Sequence, residues 1–227
     1  MPIPKIKKVN DHGELSSKEI VYRTLKKWII EGQLCPLEKL DHNEIANYFS
    51  VSRTPVREAF QLLETQNLIQ SYPGKSTVVT ELEVDNIDEL YQPLITLQGL
   101  AMSLCIDRCS ENNLDHLNQI NEEFKRAISL RQTNNILKKD QEFHKYLINM
   151  SENQYVIEFC TLLMDHVYRL EYLFFEHNTD LHKSYFEHKD IIEALQRKDS
   201  YASPQLVKQH WNRTLMLIQT LTKTEIQ

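Results

Sequence analysis

Glycine is scarce in this chain, at four residues in 227. A fold rich in β-turns needs more, because tight turns repeatedly call for positive φ; long helices need very few. Long hydrophobic runs are missing too. No stretch of 18 apolar residues exists, which argues against a membrane-spanning helix. The opening Met1-Pro2-Ile3-Pro4-Lys5 has none of the apolar run of a secretion signal. The expected location is therefore the cytoplasm, with no membrane partner. Cysteine is limited to Cys35, Cys105, Cys109 and Cys160. In a chain of this size without a secretion signal they are expected to be reduced and mostly buried. What is present is ordinary for a globular protein, 41% hydrophobic and 26% charged residues, and the length suffices for one large domain or two modest ones.

The formal net charge of −6 argues at first against a nucleic-acid partner, but the charge is unevenly spread. Residues 1–80 hold 11 Lys and Arg against 9 Asp and Glu, leaving 15 against 23 for the remainder. The basic groups thus belong to the first part of the chain. A short acidic join, Thr80-Glu81-Leu82-Glu83, leads directly into a helical pattern. Two domains are expected, residues 1–80 and residues 81–227.

The first part reads as three helices and two short strands. Ser16 and Ser17 precede Ile20, Val21, Leu25, Trp28 and Ile29, a helical stripe that closes near Gly32. Asp41, with Glu44 three residues on, has the spacing of a capping box ahead of Ile45, Ala46 and Phe49. After a tight turn at Ser50-Val51, Ser52 is placed to cap a third helix that carries Val56, Ala59, Phe60, Leu62 and Leu63 inward. Pro55 stands in its first turn, where a missing amide hydrogen does little harm. Leu68-Ile69-Gln70 and Thr77-Val78-Val79 then bracket Tyr72-Pro73-Gly74-Lys75 as strand, turn and strand.

Two short helices, a tight turn and a following hairpin make a winged helix-turn-helix. With its apolar residues inward, the third helix exposes Ser52, Arg53, Thr54 and Arg57 at its N-terminal end, where free backbone amides also favour a phosphate. Arginines there can take phosphates or the acceptor edge of guanine, and Lys75 at the wing tip can approach the backbone or the minor groove. The run from Val21 to Val79, with Glu44-Ile45-Ala46, the string Val51-Ser52-Arg53-Thr54-Pro55-Val56-Arg57-Glu58-Ala59 and the Pro73-Gly74 wing, resembles the N-terminal domain of GntR-family bacterial transcriptional regulators. The resemblance implies DNA contacts at Asn43, Ser52, Arg53, Thr54, Arg57 and Gly74. Two positions depart from the pattern: Leu37 stands where many members have glycine, and Asn43 where some have arginine.

The remainder reads as six helices, roughly 84–108, 111–131, 134–150, 153–177, 180–198 and 203–223, each with one apolar face, such as Leu114, Leu117, Ile120 and Phe124. An antiparallel helical bundle is expected, making the whole chain mainly α. Asp140 and His144 stand four apart on one helix face, and His188 and His210 lie 22 residues apart on the last two helices. One carboxylate and three imidazoles suit Zn²⁺, Ni²⁺, Mn²⁺ or Fe²⁺. The pattern is similar to the FCD effector domain of the FadR subfamily, and the count of six helices to its VanR-type branch. That resemblance implies a divalent metal, Zn or Ni first, held by Asp140, His144, His188 and His210, with a small carboxylate-like effector beside it.

His166 and Arg169, on the fourth bundle helix, are candidates for the effector side of the cavity, with packing and a surface ion pair as their plainer roles. Many relatives carry an arginine and a glutamate on the first bundle helix, where this chain has Leu94 and Gln98. The combined expectation is a homodimeric, metal-containing repressor that binds a double-stranded operator and responds to a metabolite. Two alternatives are a metal-dependent enzyme of the non-haem iron type and a regulator whose metal is purely structural.

Overall fold

The computed structural model describes residues 15–72, 76–82, 84–174 and 181–225. The chain divides into two compact units, Met1–Leu82 and Glu83–Gln227. In the first unit, α1 (Ser17–Ile30) starts where the Ser16 hydroxyl accepts a hydrogen bond from the Glu19 amide, and it buries Val21, Leu25, Trp28 and Ile29. These residues recur at three- and four-residue spacing, so one stripe faces the core. Next come β1 (Lys39–Leu40), α2 (His42–Phe49) and α3 (Arg53–Thr65), which buries Val56, Ala59, Phe60 and Leu63. The Asp41 side chain caps α2, accepting from the Asn43 and Glu44 amides at 2.7 and 2.9 Å. Ser50, in the left-handed conformation, turns the chain from α2 toward α3.

Strands β2 (Ile69–Ser71) and β3 (Thr77–Val79) pair antiparallel, Ile69 opposite Val79 and Ser71 opposite Thr77. The sequence pattern left β1 unmarked. Its two residues pair with Val78 and Thr77, making a three-stranded sheet in the order β1-β3-β2. Two residues are too few to show a period of two, so only the pairing itself reveals this strand. Pro73, Gly74 and Lys75, the expected wing tip, lie outside the described residues. The core of this unit joins all three helices to Leu34, Leu40, Leu68 and Val79, and so holds α3 with its outer face free.

The second unit is helical throughout its described length, with α4 (Ile87–Cys105), α5 (Glu111–Ser129), α6 (Thr133–Asn149), α7 (Gln154–Phe174), α8 (Leu181–Gln196) and α9 (Ala202–Glu225). Helix α4 packs on α7 and α9, and α5 on α6 and α8. The first of these helices ends sooner than the periodicity predicts, passing into a single 3₁₀ turn at Ile106–Arg108. Ser110 then opens α5 through a reciprocal capping box with Asn113. Among the described residues no helix is long and apolar enough to cross a membrane. All four cysteines are free thiols. Cys105 and Cys160 are buried as expected, whereas Cys35 is exposed and Cys109 half-buried.

The shortage of glycine shows in the backbone. Left-handed positions are filled by Leu37, Ser50, Asn67, Arg131, Glu152 and Lys198, while Gly32 takes one as well. Leu37, the residue that departs from the glycine of many GntR-type sequences, has φ 64° and is 59% exposed. Its side chain therefore strains the backbone and recovers little by burial.

Candidate functional sites: a nucleic-acid interface and a metal centre

The outer face of α3 begins at Ser52, which occupies the N-cap position but makes no capping hydrogen bond through its side chain. An N-cap side chain accepts from the second or third helical amide, and here the third residue, Pro55, has no N–H, which leaves the Thr54 amide as the one usual donor to Ser52. Ser52, Arg53, Thr54 and Arg57 are all exposed, as is Asn43 on α2. Asn43, Arg53, Thr54 and Arg57 line one shallow groove together with Asp41 and His42. The Asp41 carboxyl is held below its ordinary range by the Glu44 and Asn43 amides, with smaller help from His42 and Arg53. No motif marks His42 in the sequence. Its ring lies against Phe60 of α3, with centroids 4.3 Å apart.

The second site lies inside the bundle. Asp140 and His144 from α6, His188 from α8 and His210 from α9 bring their ligating atoms within 4.8 Å of one another. The i,i+4 spacing on α6 stacks the first two, and helix packing supplies the others. All three histidines are buried. The Nε2 atoms of His144 and His210 are 3.0 Å apart, and His188 Nε2 lies 3.6 Å from an Asp140 oxygen. Aromatic rings wall the cluster: Phe143 stacks on His188 with centroids 3.9 Å apart, and Trp211 sits 4.6 Å from His144.

Two outer contacts fix the imidazoles. His188 Nδ1 donates to Asn121 Oδ1 at 3.1 Å, an orientation set because Asn121 Nδ2 donates to the Tyr185 carbonyl. His210 Nδ1 donates to Glu187 Oε2 at 2.7 Å. Each Nδ1 therefore carries a proton and each Nε2 is turned toward the cluster, the arrangement that orients ligating histidines. His188 Nε2 is buried with no hydrogen-bond partner. Burial, reinforced by neighbouring imidazoles, pushes His144 and His188 well below their ordinary range and keeps them neutral. Burial raises Asp140 to about 6, a shift partly opposed by His210 and Arg213. Burial also works to raise Glu187, but the hydrogen bonds from His210 and Arg213 prevail and bring it to about 2.

These donors fit a divalent ion. The 3.0 Å between the Nε2 atoms of His144 and His210 is a hydrogen-bond distance that one shared proton spans, and a cation can take that proton's place. Nitrogens about 2.1 Å from one ion and at right angles across it would stand about 3.0 Å apart. A cavity of about 40 Å³ adjoins the cluster, room for a few water-sized groups, with Asp140, His210, Glu171, Ser184 and Arg213 on its polar wall. Arg213 also donates to Glu187 and to the Ser184 hydroxyl, each at 2.7 Å. Burial and repulsion from Asp140 raise Glu171 well above the carboxylate range. Arg169 is buried and His166 half-buried, both on α7, and neither is among the residues of this cavity wall. Leu94 and Gln98 are buried, Gln98 Nε2 meeting the Met164 sulfur at 3.4 Å. Asn121, Glu171, Glu187 and Arg213 are not separable in the sequence from surface polar residues, because their partners lie on other helices.

Comparison with known proteins accounts for both halves of the chain. Residues 17–79 match the bacterial regulatory proteins of the gntR family, and residues 89–213 match the FCD domain. The chain is 31% identical over 192 residues to YdhC of Bacillus subtilis (strain 168), described as an uncharacterized HTH-type transcriptional regulator, covering 84% of this chain and 86% of that one. It is 26% identical to the HTH-type transcriptional repressor RspR of Escherichia coli (strain K12), over 84% of this chain and 83% of that one. Among solved structures, E. coli McbR/YncC matches the fold with a TM-score of 0.83 at 20% identity, covering 92% of this chain and 99% of that one. The exposed α3 face and the histidine cluster thus fall in the two matched regions, and the chain belongs to the GntR family of DNA-binding transcriptional regulators, with an FCD domain after its helix-turn-helix, and is a regulator rather than an enzyme.

Proposed function

We propose that this protein is a metal-containing, ligand-responsive repressor that acts as a homodimer on a two-part operator. The observation that carries the reading is the convergence of one carboxylate and three buried imidazoles within 4.8 Å. Asp140, His144, His188 and His210 would hold a divalent ion, Zn²⁺ or Ni²⁺ first and Mn²⁺ or Fe²⁺ next, since imidazole with a carboxylate suits all four. The bound ion would supply a Lewis-acidic anchor for an anionic group. Its four protein ligands would leave room for a small carboxylate at the adjoining cavity. Arg213, rather than Arg169, is the cation on that cavity wall and the better candidate to meet such an anion. His166 keeps only a packing role in this reading.

On the DNA side, Asn43, Ser52, Arg53, Thr54 and Arg57 are assigned to the operator, with Gly74 and Lys75 of the wing assigned from sequence alone. Arg53 and Arg57 are the residues suited to guanine edges or phosphates, each good bidentate pair contributing about 1–3 kcal/mol. Two such faces would read half-sites about 34 Å apart. The effector would change operator affinity only by its differential binding to two arrangements of the protein. The relative named as a repressor, RspR, supports the negative sign. The test is anisotropy against a duplex selected from a random pool by the wild-type chain. Arg53→Ala and Arg57→Ala should each lose about tenfold or more in affinity with helicity unchanged. Unchanged affinity in both variants would remove α3 from the interface. A second reading, a purely structural ion, is favoured only if removing the metal lowers stability while no small acid alters operator binding.

A further inference from the structure

We propose that His42 is an additional DNA-contact residue: its imidazole, seated on Phe60, donates a hydrogen bond to a backbone phosphate beside the bases met by Arg53 and Arg57. The inference rests on the DNA-binding reading of the α3 face and extends it to a side chain on α2. Three observations carry it. His42 lines the same groove as Asn43, Arg53, Thr54 and Arg57, so a duplex meeting the arginines also meets this ring. The ring is only partly covered, and its packing against Phe60, at 4.3 Å and tilted by 40°, restricts it before any partner arrives. Phe60 is itself 3% exposed and belongs to the core that carries α3, so the imidazole is tied to the helix it flanks. The neighbouring Asp41 carboxylate is held at the start of α2 by the Asn43 and Glu44 amides, both on Oδ1.

An aromatic ring with a polar edge, fixed at the rim of a groove with two arginines, is suited to positioning. Phosphate contacts of this kind set register on the duplex and carry no base preference. A hydrogen bond from a held donor to a phosphate is charge-assisted, which places its loss near tenfold in affinity.

The experiment compares His42→Phe, His42→Ala and His42→Gln with the wild-type full-length chain. Binding is measured at one fixed salt concentration to the selected duplex and to a scrambled duplex of equal length. His42→Phe keeps a ring against Phe60 and removes the donor; His42→Gln keeps a donor and removes the ring. The expected result is a loss of about tenfold for His42→Phe and His42→Ala on both duplexes, with most of it recovered in His42→Gln. Wild-type affinity in His42→Phe would overturn the proposal by reducing His42 to a packing role. A loss confined to the selected duplex would overturn it too, by assigning the residue to a base edge. Arg53→Ala, run alongside, separates the two levels of the argument. If it also binds normally, the α3 interface itself fails; if it is weak while His42→Phe is normal, only the His42 assignment fails.

Discussion

Replacing Glu187 by glutamine tests whether the imidazole cluster is a built metal site or a packed core. Glu187 is not one of the four proposed ligands but the outer partner of one of them. It accepts from His210 Nδ1 at 2.7 Å and from Arg213 Nε at 2.7 Å, and these bonds hold its carboxyl at about 2. Glutamine has nearly the same shape and retains one acceptor oxygen, but it loses the charge that makes both bonds short and strong. The His210 ring then loses part of what fixes its tautomer and directs Nε2 inward. Changes to such outer partners typically reduce metal affinity by about 10- to 100-fold, which is about 1.4–2.7 kcal/mol. The assay is competition for Zn²⁺ against a chromophoric chelator, with a thermal melt of the metal-free protein as the control for folding. A Kd within twofold of wild type, in a folded variant, would refute the claim that Glu187 orients a ligand. A collapse of the metal-free fold with undiminished affinity in the remaining folded fraction would reassign Glu187 to structure alone.

Other expectations follow from the same observations. Ser52→Ala should leave stability within a few tenths of a kcal/mol, because its side chain makes no cap bond, while weakening operator binding; Asp41→Ala, which removes a cap with two amide bonds, should cost about 1 kcal/mol in chemical denaturation. Leu37→Gly should raise stability by about 1 kcal/mol, since it relieves a positive φ at an exposed site, and a melt unchanged or lowered would contradict the strain argument. The metal-free protein should lose stability as pH falls below 6.5. His144 and His188 have depressed folded-state values, so unfolding takes up protons there, and folding is disfavoured on the acid side. Asp140 works the opposite way between 3.8 and about 6, because its folded-state value is raised, so replacing both histidines by glutamine should flatten or reverse the slope in that window.

Much of this architecture is legible along the chain because its signals are local. The stripe of α1, the Asp41 cap and the apolar faces of the bundle helices depend on residues a few positions apart, and the structure places helices there; the Ser110 cap was not read from the sequence. Asp140 and His144 share a face by spacing alone, and His188 and His210 joined them as a donor set on later helices, which the resemblance then assigned to a metal. What was not legible depends on pairing or on a missing group. Strand β1 exists only through its bonds to β3. Pro55 removes one of the two amides that Ser52 could cap, and the structure shows the bond to the other unmade. Asn121 and Glu187 become informative only when the fold sets them beside His188 and His210, which they meet from 67 and 23 residues away. Arg213 reaches the cavity from the last helix, whereas Arg169, buried on α7, is not among the residues of that wall. In each case an intrahelical spacing was readable and a contact between helices was not.

Elemental analysis of the purified protein, after gel filtration in metal-free buffer, tests the central claim most directly. The account predicts about one divalent ion per wild-type chain, and near none in a folded His188→Ala variant, because three buried lone-pair donors and one carboxylate lose a member. Wild-type protein without bound metal after incubation with Zn²⁺ or Ni²⁺, or a His188→Ala variant that keeps a full equivalent, would contradict it.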